Sequence, residues 1–70
     1  MRIQNPADLG AVIRGRREAL GLRQGALADV TGVDQGNLSK IERGETGATL
    51  ETYLRLCAAL GVDLVAEPRS

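Results

Sequence analysis

Apolar residues recur at three- and four-residue steps in four stretches of this 70-residue chain, a pattern that predicts four amphipathic helices. Asn5, Asp34 and Thr49 each precede such a stretch and are good N-cap residues, and Pro6 suits a first helical position. Gly21, Gly44 and Gly61 follow three of the stretches, as glycine often does at a helix end. The predicted helices cover residues 6–20, 24–31, 35–43 and 50–60.

The same spacing predicts which side chains face inward. In the first helix these are Leu9, Val12, Ile13, Arg17 and Leu20. In the fourth helix they are Leu50, Tyr53, Leu54, Cys57 and Leu60. Because Tyr53 is the only aromatic residue, the core is expected to consist of aliphatic side chains, which suits packed helices.

Residues 62–67 follow a different pattern, in which Val62, Leu64 and Ala66 alternate with other residues, and Pro68 ends the run. Alternation predicts a strand, and a strand needs a partner for its backbone hydrogen bonds. Since no other segment reads as a strand, the simplest partner is the same segment of a second copy. The expected dimerisation residues are therefore Val62, Leu64, Val65 and Ala66. The alternatives are a short fifth helix and a frayed tail.

Residues 24–43 predict two short helices joined by a tight turn, the form of a helix-turn-helix. Ala28 is small enough for two helices to approach closely, and Gly32 tolerates the positive φ of a sharp turn. Val33, Leu38 and Ile41 supply apolar side chains for the space beneath the turn.

Charge and composition narrow the functional classes. The formal net charge is zero, but residues 14–43 hold six basic and four acidic residues, a modest positive surplus. One cysteine excludes an internal disulfide, and the absence of histidine argues against a metal site. The sequence contains neither a nucleophile with an adjacent base nor a phosphate-binding loop, so nothing in it indicates an enzyme or a cofactor. Without an apolar run of membrane length or a signal pattern, residues 1–70 are expected to form a single cytoplasmic domain.

The stretches IRGRREALGLRQGALADVTGVDQGNLSKIERGE and TLETYLRLCAALGV resemble the lambda-repressor-like, or XRE, family of helix-turn-helix proteins. The resemblance implies an all-α, four-helix DNA-binding domain, with VDLVAE in place of the usual fifth helix. The short length and strand-like tail resemble the HipB-type antitoxins, which are dimeric repressors that also hold a kinase-like toxin. The implied partners are a near-palindromic double-stranded operator, a second copy of the chain and a HipA-like kinase toxin.

In such a domain the N-terminal residues of the third helix lie nearest the base edges of the major groove. Here they are Gln35, Gly36 and Asn37, with Lys40 one turn later. The two amides match adenine and Lys40 matches guanine or a phosphate. Gly36 either allows close approach to the groove or is merely tolerated. The family resemblance assigns Gln24 to the DNA backbone; further phosphate candidates are Arg23, Ser39 and Arg43. Arg14 and Arg16 could contact the DNA flanks or solubilise the first helix, and the second interpretation is preferred.

Arg17 and Glu42 each lie on an otherwise apolar helix face, where an unpaired charge is costly. We expect them to pair and to tie the first helix to the third, as a matching pair does in the resembling family. The competing hypothesis for the whole chain is a protein-interaction module with weak or no DNA binding. The zero net charge of the chain, and a glycine at base-facing position 36, favour that alternative.

Overall fold

The computed structural model describes residues 2–69 and contains four α-helices. Helices α2 and α3 form the predicted helix-turn-helix. Helix α1 packs against α3 and α4, and α2 also packs against α3 and α4, so that the four helices enclose one core. The helix bounds are α1 Pro6–Ala19, α2 Gln24–Thr31, α3 Gln35–Glu42 and α4 Leu50–Leu60.

Three of the four helices begin at the capping residues that the sequence predicts. The side chains of Asn5, Asp34 and Thr49 each accept a hydrogen bond from a backbone N–H three residues later, at 2.9, 3.0 and 3.1 Å. These bonds satisfy donors that an isolated helix start leaves unpaired. Local sequence therefore determines where the first, third and fourth helices begin.

The turn between α2 and α3 also has its predicted form. Gly32 adopts the left-handed conformation with φ of 73°, which a residue with a side chain rarely does. Val33 is buried beneath the turn. The hydroxyl of Thr31 donates to the carbonyl of Leu27 at 2.7 Å, which satisfies a buried polar group at the helix end.

The core is formed by aliphatic side chains, with Tyr53 at its edge. Tyr53 orients its hydroxyl outward to accept a hydrogen bond from the backbone N–H of Ala48 at 3.2 Å. Burial raises the pKa of the Cys57 thiol, because the thiolate would lose its hydration. The core residues are Leu9, Ile13, Leu27, Ala28, Val33, Leu38, Ile41, Tyr53, Leu56, Cys57 and Leu60.

Three predicted inward-facing residues are exposed, so those predictions are wrong. Leu20 is 45% exposed because α1 ends at Ala19 and Leu20 caps it. Leu50 and Leu54 are 66% and 48% exposed. Successive helical residues are rotated by about 100°, which places Leu54 beyond the edge of the buried stripe that runs through Tyr53 and Leu56.

Helices α1 and α3 approach so closely at Gly10 that a side chain would not fit there. A Cβ at this position would overlap the carbonyl oxygen of Ile41. The sequence prediction placed a small residue, Ala28, between α2 and α3, and it overlooked Gly10 between α1 and α3. Glycine at position 10 thus sets how near α1 lies to the third helix.

Two arginines connect separate helices through backbone carbonyls. The Nε of Arg16 donates to the last carbonyl of α4, that of Leu60, at 2.9 Å. Arg55 donates to the carbonyl of Thr31 at the end of α2, at 3.4 Å. Both are orphan carbonyls of a helix C-terminus, which a cation stabilises.

The tail forms neither a helix nor a strand over residues 62–67. Within residues 2–69 there is no strand with which it can pair, so the predicted strand is not formed in the single chain, and the alternative of a fifth helix is not observed. Val62 packs against the core, whereas the residues after it are exposed. No helix in the described part of the chain is long and apolar enough to cross a membrane.

Candidate nucleic-acid interface

Helix α3 presents a polar surface on one side and a buried apolar surface on the other. Leu38 and Ile41 are fully buried and anchor the helix in the core. Gln35, Gly36, Asn37 and Lys40 are all exposed on the remaining surface. The four residues that the sequence predicts to face bases therefore lie together on the solvent side of one helix; we call them the α3 row.

Gly36 has a local reason to be a glycine. A Cβ at this position would lie 3.1 Å from Oδ2 of Asp34, the carboxylate that caps α3. That spacing is tight for carbon and oxygen, so the Asp34 side chain would have to shift by a few tenths of an ångström to admit a larger residue. This contact supplies an explanation that differs from both close approach to the groove and mere tolerance.

The predicted ion pair between α1 and α3 is present. Nε and Nη2 of Arg17 donate to the two carboxylate oxygens of Glu42 at 2.8 and 3.0 Å. The third nitrogen, Nη1, donates to the carbonyl of Leu22 at 2.8 Å. The hydrogen bond with Glu42 raises the pKa of Arg17, against the opposing effect of burial. The Glu42 side chain is 2% exposed, so its charge is satisfied inside the protein.

Gln24 extends this pair into a brace across three helices. Its Nε2 donates to Oε1 of Glu42 at 3.1 Å, so the carboxylate contacts α1, α2 and α3 at once. The family resemblance assigned Gln24 to the DNA backbone and to support of the first recognition residue, and it did not include this bond. The one available signal was the predicted burial of Glu42, since a buried carboxylate has more acceptor sites than one arginine fills.

Gln35 lies against the start of α2. A Cβ at Gly25 would lie 3.3 Å from Oε1 of Gln35, so the glycine leaves room for the glutamine side chain. The first residue of the α3 row is therefore positioned by the helix before it as well as by its own helix.

The predicted phosphate-contacting residues lie in different surroundings. Arg23 precedes α2 and is exposed, and it makes no side-chain cap bond. Ser39 is half-buried, and Arg43 is exposed and forms an ion pair with Glu45 at 2.6 Å. Of these three, only Ser39 and Arg43 line a small cavity of about 140 Å³ between α1, α2 and α3, which we call the α1–α3 cleft. The cleft is lined by Arg14, Arg17, Gln24, Ser39, Glu42 and Arg43.

The predicted dimerisation residues divide into two groups. Val62 is half-buried against the core, whereas Leu64 and Val65 are 37% and 76% exposed, and Ala66 is exposed. Leu64 and Val65 line a cavity of about 490 Å³ together with Ile3, which is itself 43% exposed. The chain thus places apolar side chains from both ends of its sequence side by side on the surface.

Comparison with known proteins connects this arrangement to regulators. A family described as helix-turn-helix domain matches residues 8–69. An uncharacterised HTH-type transcriptional regulator, y4mF of Sinorhizobium fredii, is 37% identical over 67 residues, which is 93% of this chain and 88% of that protein. Another from Haemophilus influenzae is 42% identical over 52 residues, which is 74% of this chain but only 53% of its own length.

Solved structures share the fold. The restriction-modification controller protein C.AhdI from Aeromonas hydrophila superposes with a TM-score of 0.77 at 33% identity, over 83% of this chain and 88% of that chain. The clp gene regulator ClgR from C. glutamicum gives 0.79 at 32% identity, over 89% of this chain and 80% of its own. HipB in complex with an O2 20mer gives 0.84 at 23% identity, over 100% of this chain and 97% of that chain, which is a likeness of fold alone.

Proposed function

This chain belongs to the lambda-repressor-like family of helix-turn-helix proteins, and we propose that it is a sequence-specific repressor that binds double-stranded DNA. The proposal rests chiefly on the α3 row. Its four residues are exposed along one side of a helix whose other side is fixed in the core. A recognition helix needs this combination to enter a major groove without unfolding the domain.

Within the α3 row, each residue has a defined chemistry toward bases. The amides of Gln35 and Asn37 donate and accept together, as the major-groove edge of adenine requires. Lys40 donates to the two acceptors of guanine or to a phosphate. A good bidentate contact of this kind discriminates between bases by about 1–3 kcal/mol.

The brace around Glu42 supports the same proposal from inside the fold. Arg17, Gln24 and Glu42 fix α3 relative to the two helices before it. Base reading demands that a helix keep its position to within a fraction of an ångström, because hydrogen bonds weaken quickly with distance. A buried ionic brace at the end of a recognition helix meets that demand.

The repressor is further proposed to act as a homodimer through its tail. Leu64 and Val65 expose apolar surface that the single chain leaves uncovered. Pairing of residues 62–67 from two copies would supply the missing strand hydrogen bonds and cover these side chains. Two copies would then place two α3 rows in successive major grooves, about 34 Å apart on a near-palindromic site.

A role as the autoregulating antitoxin of a HipA-like kinase toxin is the most specific part of the proposal. The matching chains in a solved complex of HipB with an O2 20mer, and in a solved HipA-HipB-O2-O3 complex, share the fold of this chain. The test is co-purification from the native host, using a tagged copy of this chain. A co-purifying kinase-like protein supports the antitoxin role; a tagged chain that repeatedly brings down no such protein argues for a free-standing repressor.

DNA recognition itself is tested by selecting bound duplexes from a random pool with the purified chain. We expect an enriched site with two-fold symmetry, and an asymmetric single half-site would reject the dimeric mode. Gln35→Ala combined with Lys40→Ala should abolish selection of that site. Arg69→Ala is the charge control, since it removes one cation from the tail instead of α3.

A protein-interaction module is the second candidate. The observations that favour it are zero net charge and the exposed apolar side chains of Val30 and Leu20, which are 78% and 45% exposed. Binding to DNA that falls steeply with salt and needs the α3 row would reject it, because a pure interaction module has no reason to show either property.

A further inference from the structure

Three arginines line the α1–α3 cleft, and only one of them is held by a buried carboxylate. Arg17 and Glu42 lie at this cleft and neutralise each other through two hydrogen bonds. Arg14 and Arg43 also line it, and neither contacts Glu42. Arg14 and Arg43 are therefore not held by the buried carboxylate, and they lie next to Ser39 where an anion from outside the fold can reach them.

Each of these two arginines has a carboxylate beside it in the free protein. Nε of Arg43 lies 2.6 Å from Glu45, and Nε of Arg14 lies 3.7 Å from Glu18. All four side chains are about half-exposed, between 51% and 56%. Exposed ion pairs are weak, because water and salt screen them, so another anion can replace either carboxylate.

The cleft also adjoins the surface proposed to meet DNA. Ser39 and Arg43 belong to α3 and its C-cap, and Gln24 begins α2, where free backbone N–H groups favour an anion. A phosphate diester accepts from a guanidinium through two oxygens, as a carboxylate does. Nε of Arg43, which now contacts one oxygen of Glu45, can therefore contact a phosphate oxygen instead.

We propose that one DNA backbone phosphate binds at the α1–α3 cleft between Arg14 and Arg43, and that Glu45 and Glu18 occupy these arginines in the free chain and compete with it. The proposal rests on the DNA-binding function above and adds two features to it. Arg14 becomes a phosphate-binding residue instead of a solubilising one. The two carboxylates become determinants of affinity, which lower binding to every duplex alike.

The arginine half of the proposal predicts a loss that does not depend on DNA sequence. Arg14→Gln and Arg43→Gln should each weaken binding several-fold at 0.1 M salt. The double variant loses the whole phosphate contact, so its binding should fall about tenfold and its slope of log K against log salt by about 0.9. The loss should be equal on the selected operator and on an unrelated duplex of the same length. Both residues are half-exposed, and thermal unfolding of each variant verifies its fold.

The carboxylate half predicts a gain. Glu45→Gln should tighten binding to both duplexes roughly three- to tenfold at low salt, and less as rising salt shortens the screening length. Glu18→Gln should give a smaller gain because its ion pair is longer. Glu51→Gln is the matched control: it removes the same charge from an exposed pair with Arg55, 3.2 Å long, on α4. It should change affinity little.

A double-mutant cycle separates competition at Arg43 from simple repulsion of DNA. In an Arg43→Gln background, the gain from Glu45→Gln should fall to that of the Glu51→Gln control. A full gain in that background would overturn the proposal, as would sequence-specific binding that Arg14→Gln and Arg43→Gln leave unchanged; in either case the repressor function stands. A wild-type chain that binds no duplex would overturn both.

Discussion

The α1–α3 half of the molecule and the surface of α4 with the tail are built in opposite ways. In the first, polar side chains are turned inward and paired: Glu42 accepts three hydrogen bonds from Arg17 and Gln24 while almost fully buried. In the second, apolar side chains are turned outward: Leu54 and Val65 are 48% and 76% exposed. The first region satisfies its buried charge within the chain, whereas the second exposes apolar side chains in both α4 and the tail.

This contrast shows where to look for function. Where buried charges are fully satisfied, the chain has fixed a geometry by itself, and here that geometry presents the α3 row. Where apolar groups are left uncovered, the proposed homodimer would supply the cover. Substitutions in each region test whether the two differ in this way.

The brace should give the largest effect on stability. Arg17→Leu or Glu42→Leu alone is expected to lower the free energy of unfolding by about 3–5 kcal/mol, because each leaves the other charge buried without its partner. Urea unfolding of both single variants and the double variant measures the coupling. If the double variant loses as much as the two single losses added together, the pair is not a unit and the contrast fails in this region.

Neighbouring leucines of α4 should behave very differently. Leu56 is fully buried, so Leu56→Ala should cost about 2–5 kcal/mol. Leu54 is half-exposed, so Leu54→Ala should cost under about 1 kcal/mol in the monomer. Equal losses, measured by urea unfolding at a protein concentration that keeps the chain monomeric, would show that α4 is rotated relative to the structure.

Two glycines of α1 form a second matched pair. Gly10→Ala should destabilise the fold by about 1–3 kcal/mol or more, since its Cβ overlaps the backbone of Ile41. Gly15 has no atom within 4 Å of the corresponding position, so Gly15→Ala should stabilise by up to about 1 kcal/mol through helix propensity. Thermal unfolding of both variants gives the two signs, and a Gly10→Ala variant as stable as wild type would refute the close contact.

Substitutions in the tail should weaken self-association and leave the stability of the monomer almost unchanged. Leu64→Asp with Val65→Asp is expected to weaken self-association at least thirtyfold, because two apolar side chains of about 1.5–3 kcal/mol each would lose their cover. The stability of the monomer should change within about 0.5 kcal/mol. Val30→Asp is the control, since Val30 is equally exposed on α2. Sedimentation equilibrium showing an unchanged dimer in the tail variant would place the contact elsewhere.

Much of the fold is predictable from the sequence because helix ends and turns depend on near neighbours. The capping bonds of Asn5, Asp34 and Thr49 each join residues three positions apart. The turn at Gly32 needs only a residue that adopts a positive φ without a steric clash of its Cβ, which glycine does. The α3 row follows from the same local pattern, since its residues are the polar positions of one short helix.

Residue type is enough to predict the four helices, the side-chain caps of three of them, the turn and the pairing of Arg17 with Glu42, because periodicity, capping chemistry and the cost of a lone buried charge all act through it. The folded chain was needed to reveal the contact of Gly10 with Ile41, the burial of Leu56 in place of Leu54, and the bond from Gln24 to Glu42. These depend on the distance and rotation between helices far apart in sequence. No periodic pattern encodes those quantities, because they arise when the whole core packs at once.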